Sequence, residues 1–280
     1  MDRLGIVAGS GRLPLEAVDQ CRRSGTGVFC VLLKSYADAD DYRGVDFIEL
    51  GVGQVGRMMD FFRQRGVTRL VLLGGVRKPS FGFLNMDREG ALLAKDILKN
   101  RLLGDNSVLE VVVRFLEEHG FRVLEADSLL ENLKLGAGPN NSVGCGQEYL
   151  RDIEIGRSLL EKLSEFDLGQ AVAVQQGVVV ALECLEGTAA MIKRAGKLGL
   201  PQGSRPVLVK TGKIGQTRKA DLPSIGPHTI EQLYASGFAG AALDFKNCLV
   251  ISRETTLEMA EKYNLFLWGI DGPQGQPGGE

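Results

Sequence analysis

The sequence predicts two α/β domains: an N-terminal one with a mostly parallel, Rossmann-like sheet, and a C-terminal one with a mixed sheet, joined by a Gly-rich linker. Three observations predict it. The first half alternates continuous apolar runs with amphipathic segments, the pattern of parallel strands covered by helices. In the second half two apolar runs are separated only by Gln176-Gly177, which makes a tight hairpin. Between the halves, Leu135 to Asn141 and Gly144-Cys145-Gly146 are turn-rich. The expected boundaries are 1–130 for the first domain, 131–147 for the linker, 148–271 for the second domain and 272–280 for a disordered tail carrying Pro and Gly.

Each element has its own warrant. Leu4 to Ala8 reads as a buried strand, and Leu13, Ala17 and Cys21 recur every fourth residue on a helix to Arg23. Val28–Leu33 and Phe47–Leu50 are strands, and Gln54–Arg65 is a helix closed by Gly66. Arg69–Leu73 is a strand ending at Gly74-Gly75. Arg88–Leu103 and Asn106–His119 are helices, with Asp105 as N-cap of the second. Phe121–Leu124 is a further strand. After the linker come a helix from Glu148 to Ser164, the hairpin strands Gln170–Gln175 and Val178–Glu183, and a helix from Thr188 to Lys197. A strand Pro206–Lys210, a polar loop Thr211–Pro227 and a helix His228–Ser236 follow. Strands Ala239–Leu243 and Cys248–Ile251 flank a turn, before a helix Glu254–Tyr263 and a last strand Leu265–Trp268.

Composition excludes several function classes. Lys and Arg total 33 against 35 Asp and Glu. This balance lacks the positive footprint of a general nucleic-acid binder. No apolar run approaches the roughly 18 residues of a membrane span. The five cysteines are odd in number and never spaced C-x-x-C, which speaks against a disulfide framework and a thiolate zinc site. With Met1–Gly5 entering a strand and showing no signal-peptide pattern, they set the expectation of a reducing cytoplasm. Two histidines, His119 and His228, are too few for a binuclear metallophosphoesterase site. The 37 glycines give near twice the usual ~7%, so many backbone positions need special geometry or close approach.

Five segments are candidates for chemistry. Gly9-Ser10-Gly11-Arg12-Leu13-Pro14 joins a strand to a helix N-terminus, a place for phosphate or sugar, or simply a tight turn; Pro14 spoils the dinucleotide fingerprint. Gly51-Val52-Gly53-Gln54-Val55-Gly56 matches that fingerprint but lacks the acidic partner about 20 residues on, so a strand-to-helix turn is favoured over a nicotinamide role. Gly74-Gly75-Val76-Arg77-Lys78-Pro79 puts two cations at the carboxyl end of a strand, facing either phosphate or water. Glu183 and Glu186 end a strand before Gly187-Thr188; Glu186 and Thr188 are either helix-start residues or place a carboxylate beside a phosphate-bound cation. The richest is Lys210 to Pro227: Lys210, Lys213, Arg218 and Lys219 surround the lone acid Asp221. Clustered cations suit an anionic ligand, and they keep such an Asp ionised to hold a metal or orient water. A charged surface loop is the other reading. His119 closes a helix and reads as structural; a Cys145/His119 nucleophile has no partner in sequence.

Taken together, Ala8–Pro14, Gly74–Pro79, Leu103-Gly104-Asp105-Asn106, Glu186-Gly187-Thr188 and Asp221–Pro227 resemble the LpxI-type UDP-2,3-diacylglucosamine pyrophosphatases of lipid A synthesis, from about Leu4 to Ile270. The resemblance implies Mg²⁺-dependent hydrolysis of UDP-2,3-diacylglucosamine to UMP and 2,3-diacylglucosamine 1-phosphate (lipid X), water attacking the phosphorus nearer the glucosamine. It implies catalysis in the C-terminal domain with Asp221 essential, as catalytic residue and tentative metal ligand. It also implies a homodimer, lipid between two α/β domains, and work at the cytoplasmic face of the inner membrane as a peripheral protein. Substrate contacts are expected from Gly9, Ser10, Gly11, Arg77, Lys78, Glu186, Gly187, Thr188, Lys210, Lys213, Gln216 and Arg218. The competing function is a nucleotide or nucleotide-sugar binding module without catalysis. No nucleic-acid partner is expected.

Overall fold

The computed structural model describes residues 2–76, 85–102, 108–164, 166, 168–200, 202–212 and 222–272. These form two compact units, dividing at Leu130/Glu131. The tail expected to be disordered lies outside the described residues from 273 on, as does the Asp105 cap.

The first unit is built on a five-stranded parallel sheet of order β3-β2-β1-β4-β5: β1 Arg3–Ala8, β2 Gly27–Leu33, β3 Asp46–Leu50, β4 Arg69–Leu73 and β5 Arg122–Val123. Beyond the leading Arg3 of β1 and Arg69 of β4, the inner strands are apolar because both faces are covered, and Ile6, Ala8, Cys30, Val31, Leu70 and Val71 are buried. Helix α1 (Leu13–Ser24) buries Ala17, Val18 and Cys21. Helices α2 (Val55–Gln64), α3 (Arg88–Leu102) and α4 (Val108–Glu118) share a core with Leu50, Leu70 and Val123, centred on Met59 and Phe62. Strand order reverses between β1 and β4, the position at which open α/β sheets commonly bind ligands beyond the carboxyl ends of their strands. A four-residue helix α5 (Ala126–Leu129) ends the unit.

The second unit carries a six-stranded mixed sheet of order β6-β13-β11-β9-β7-β8. Its strands are β6 Gly138–Pro139, β7 Ala171–Gln175, β8 Val178–Leu182, β9 Val207–Lys210, β11 Gly240–Asp244 and β13 Phe266–Ile270. β9, β11 and β13 run parallel, while β6 and β7 run antiparallel to them. Alternation sorts the faces. Val172, Val174, Val207 and Val209 meet helix α6 (Gln147–Ser164). Ala171, Ala173 and Leu208 face α7 (Thr188–Leu198), α8 (Pro227–Ala235) and α9 (Arg253–Lys262). The expected hairpin forms, its turn held by the buried Asp152 carboxylate, which accepts from the Gln176 and Gly177 amides at 2.8 and 2.7 Å.

Two expectations differ. The stretch 131–147, read as a linker, belongs to the second unit. Its Gly138–Pro139 pairs with β13, and Asn140 donates to the Gly136 carbonyl, because turn chemistry here closes a sheet edge rather than spacing two domains. The strand at Cys248–Ile251 shortens to β12 (Leu249–Val250) and leaves the main sheet for a parallel pair with β10 (Ser224–Ile225).

Candidate functional site

In the second unit the carboxyl ends of the parallel strands gather polar side chains. β9 ends at Lys210 and β11 at Asp244. Because β7 runs antiparallel to β9, its first residue lies beside Lys210, and the end of β8 follows: Thr211 N donates to the Gln170 carbonyl and Glu183 N to the Ala171 carbonyl. Lys210 is only 6% exposed. Its Nζ donates to Thr188 Oγ1 at 2.7 Å, and Thr188 Oγ1 donates to Glu183 Oε1 at 2.7 Å. The other carboxylate oxygen, Oε2, accepts from Gln170 N at 3.2 Å. A lysine has three N–H donors. Among the described residues one neutral hydroxyl receives one of them, a sparse set for a buried ammonium.

Asp244 is fully buried. Its Oδ1 accepts from the amides of Lys246 and Asn247 at 3.0 and 3.2 Å, and Oδ2 from Asn247 Nδ2 at 2.7 Å and Gly212 N at 3.4 Å. It thereby ties Gly212, just after β9, to the β11 turn. Beyond that segment, the Pro223 carbonyl accepts from Leu249 N at 2.9 Å, leading into the β10–β12 pair. Between Lys210 and Asp244, burial pushes the Cys248 thiol pKa upward, Asp244 adds to this and Lys210 opposes it. Asp221, Lys213, Gln216 and Arg218 fall in the intervening segment and lie outside the described residues, as do Arg77 and Lys78.

The two carboxylates of the Glu183–Thr188 segment separate. Glu186 pairs with Arg194, whose hydrogen bond holds its carboxyl below the usual range, while Glu183 enters the Lys210 chain. Gly187 is the N-cap of α7 and Thr188 its first residue. Sequence pointed to neither Asp244 nor Asn247, and marked Glu183 only as one of two acids at the end of a strand. The available signal was an acid at the end of an apolar strand, which Asp244 shares with Glu183. Among the described residues no three metal-ligating side chains cluster.

In the first unit the β1 and β4 ends are stitched together. Gly9 N donates to Leu73 O at 2.8 Å, and Ser10 and Gly75 exchange amide–carbonyl bonds at 2.9 and 3.0 Å. Ser10 Oγ also donates to Gly75 O, at 2.8 Å. The left-handed Gly74 and the facing Gly9 have no room for a Cβ, which would overlap the opposite backbone. Ser10 is thus engaged internally. Helix α1 starts without a side-chain cap, and Gly11 stands just before its N-cap Arg12.

The Gly51–Gly56 motif is closed from within. Asp87 Oδ2 accepts from Arg57 N at 3.0 Å and its Oδ1 from Gly90 N at 2.8 Å, so one carboxylate serves the first turns of α2 and α3. Gly90 lies against the Gly53 carbonyl so closely that a Cβ would overlap it. His119 is structural here: Nδ1 meets the Phe115 carbonyl at 2.7 Å and Nε2 lies 3.4 Å from Glu89. The exposed His228 meets Gln232 and Glu231 on its own helix.

Comparison with known proteins follows this division. Residues 3–133 match the LpxI N-terminal domain and 137–268 the LpxI C-terminal domain. A Caulobacter vibrioides protein named UDP-2,3-diacylglucosamine pyrophosphatase LpxI is 31% identical over 284 residues, covering 99% of this chain and all of that protein. A solved UDP-glucose-4-epimerase from Stenotrophomonas maltophila, with NAD and formylated UDP-arabinopyranose, aligns at 12% identity with a TM-score of 0.30, over 43% of this chain and 35% of its own. That score is too low to bear on the fold. With both domain models matched in order and a full-length relative beside them, the chain belongs to the LpxI family.

Proposed function

We propose that the chain hydrolyses the pyrophosphate bond of UDP-2,3-diacylglucosamine, releasing UMP and 2,3-diacylglucosamine 1-phosphate, in lipid A synthesis. Family membership and the relative's activity support the reaction class. The observation that carries it to a place is the buried Lys210 ammonium, sparsely partnered at the carboxyl end of β9, directly before the cation-rich segment that holds Asp221.

Pyrophosphate cleavage asks the protein mainly for positioning and charge stabilisation. In this reading Lys210, Lys213, Arg218, Arg77 and Lys78 neutralise phosphoryl oxygens, with Gln216, Thr188, Gly187 and Glu186 beside them; Gly11 serves the nucleotide end, and Gly9 and Ser10, whose donors are taken by Leu73 and Gly75, shape its turn. Asp221 orients the attacking water or holds Mg²⁺. The donor set suits that ion: Mg²⁺ favours one or two carboxylates completed by substrate oxygens and water. Glu183 and Asp244 are already engaged by protein donors, which leaves Asp221 and the pyrophosphate to hold it. When bound, the ion supplies charge neutralisation at the cleaved linkage.

Among the described residues no helix is long and apolar enough to cross a membrane. We assign contact with the cytoplasmic membrane surface to the lipid substrate, and a homodimer as the assembly. Phosphorus NMR with UDP-2,3-diacylglucosamine tests the reaction: Mg²⁺-dependent UMP and a sugar 1-phosphate are expected. Asp221→Ala is expected to abolish turnover while retaining substrate. Binding by the wild type with an unchanged pyrophosphate signal would favour the non-catalytic binding module.

A further inference from the structure

Lys210 is held through a relay whose far end is backbone. Gln170 N, at the entry to β7, fixes Glu183 Oε2 at 3.2 Å, and Glu183 Oε1 accepts the Thr188 hydroxyl proton at 2.7 Å. A hydroxyl has a single proton to give. With that proton committed to Glu183, the Thr188 oxygen presents lone pairs to Lys210 Nζ, also at 2.7 Å. The carboxylate supplies, one residue removed, negative charge for the ammonium of Lys210, a buried residue with no direct carboxylate partner among the described residues. A direct Glu–Lys ion pair would neutralise the lysine and commit one or two of its three N–H donors to the carboxylate. Interposing a hydroxyl balances the charge while leaving N–H groups of the ammonium uncommitted to the carboxylate. Nothing comparable involves Glu186, whose partner is Arg194.

We propose that Glu183 is a positioning residue: through Thr188 it fixes the Lys210 ammonium as the contact for a phosphoryl oxygen. The inference rests on the hydrolase reading only in naming pyrophosphate as the anion. Glu183 touches no substrate; its action passes through Thr188, so its effect must vanish when the hydroxyl is gone.

The test is a binding cycle with inorganic pyrophosphate in Mg²⁺ buffer, measured calorimetrically on the full chain, with thermal melts alongside. Glu183→Gln and Thr188→Val are each expected to weaken binding about tenfold, Thr188→Ser to restore it, and Glu183→Gln in the Thr188→Val background to add less than twofold. Lys210→Met is expected to lose binding most, and Glu183→Gln to have no further effect upon it. Wild-type binding by Glu183→Gln or by Lys210→Met overturns the inference. So do losses that multiply in the double variant, losses that track only a lowered melting temperature, or an absence of pyrophosphate binding by the wild type. If the cycle holds but the wild type releases no UMP from UDP-2,3-diacylglucosamine, the hydrolase reading falls and the positioning role stands.

Discussion

Glu186 and Glu183 sit three residues apart, yet their environments differ in kind. Glu186 is a surface carboxylate whose pKa is lowered chiefly by the Arg194 hydrogen bond. Its folded-state pKa lies below the unfolded value. The pair therefore stabilises the chain above the unfolded pKa, and that contribution disappears as pH falls through the folded one. Solvent exposure of both side chains keeps the contribution small. Arg194→Ala is expected to raise the Glu186 carboxyl pKa back towards the ordinary glutamate range, as read by NMR titration, with little change in melting temperature at pH 7. Glu186→Gln is accordingly expected to cost less turnover than Glu183→Gln. Sequence showed a pair of acids after a strand; the hydrogen-bond partners distinguish their roles, and both partners lie on helix α7, beyond any local pattern.

At the level of elements, the dinucleotide-like motif shows how a recognisable pattern acquires a structural job. Gly53 and Gly56 give α2 the close approach that α3 needs, and Asp87 satisfies first-turn amides that a phosphate would otherwise take. Asp87→Ala removes a shared cap and is expected to cost about 1–2 kcal/mol in urea unfolding. Gly90→Ala forces the helices apart and is expected to cost about 2 kcal/mol or more. Neither NAD nor NADP is expected to bind in a titration, since the α2 N-terminus already holds an anion. The absence of an acid about 20 residues on made the motif weak in sequence. That an acid from the far side of β4 fills it was not legible, because residues 30 apart meet only through the βα crossover. The β10–β12 pair escaped for a similar reason: period and propensity identify a strand but not its partner.

Across the whole molecule the five free cysteines report on packing in both units. Burial pushes the thiol of Cys21 up to about 11 and that of Cys30 up to about 12 in the first unit, and drives Cys248 further in the second. Half-buried Cys145 is raised to about 11, mainly by burial. Cys184 is exposed. Mass spectrometry after brief alkylation at pH 8 is expected to find Cys184 modified first. Cys21 and Cys30 should follow only when the first unit unfolds, and Cys248 when the second does. Prompt labelling of Cys248 in the native chain would contradict the packing of β11, β12 and Lys210 around it.

Sequence by itself determined the α/β class, the position of most strands and helices, the hairpin at Gln176-Gly177 and the family, because periodicity, turn chemistry and ordered motifs are local properties. The tertiary structure decided which candidate groups are free for a ligand. It closed the Gly51–Gly56 turn with Asp87, occupied Ser10 with Gly75, turned 131–147 into a sheet edge, and joined Glu183, rather than Glu186, to Lys210. Each outcome depends on burial and on hydrogen-bond partners distant in sequence, and a buried polar group's role is set by which partner satisfies it.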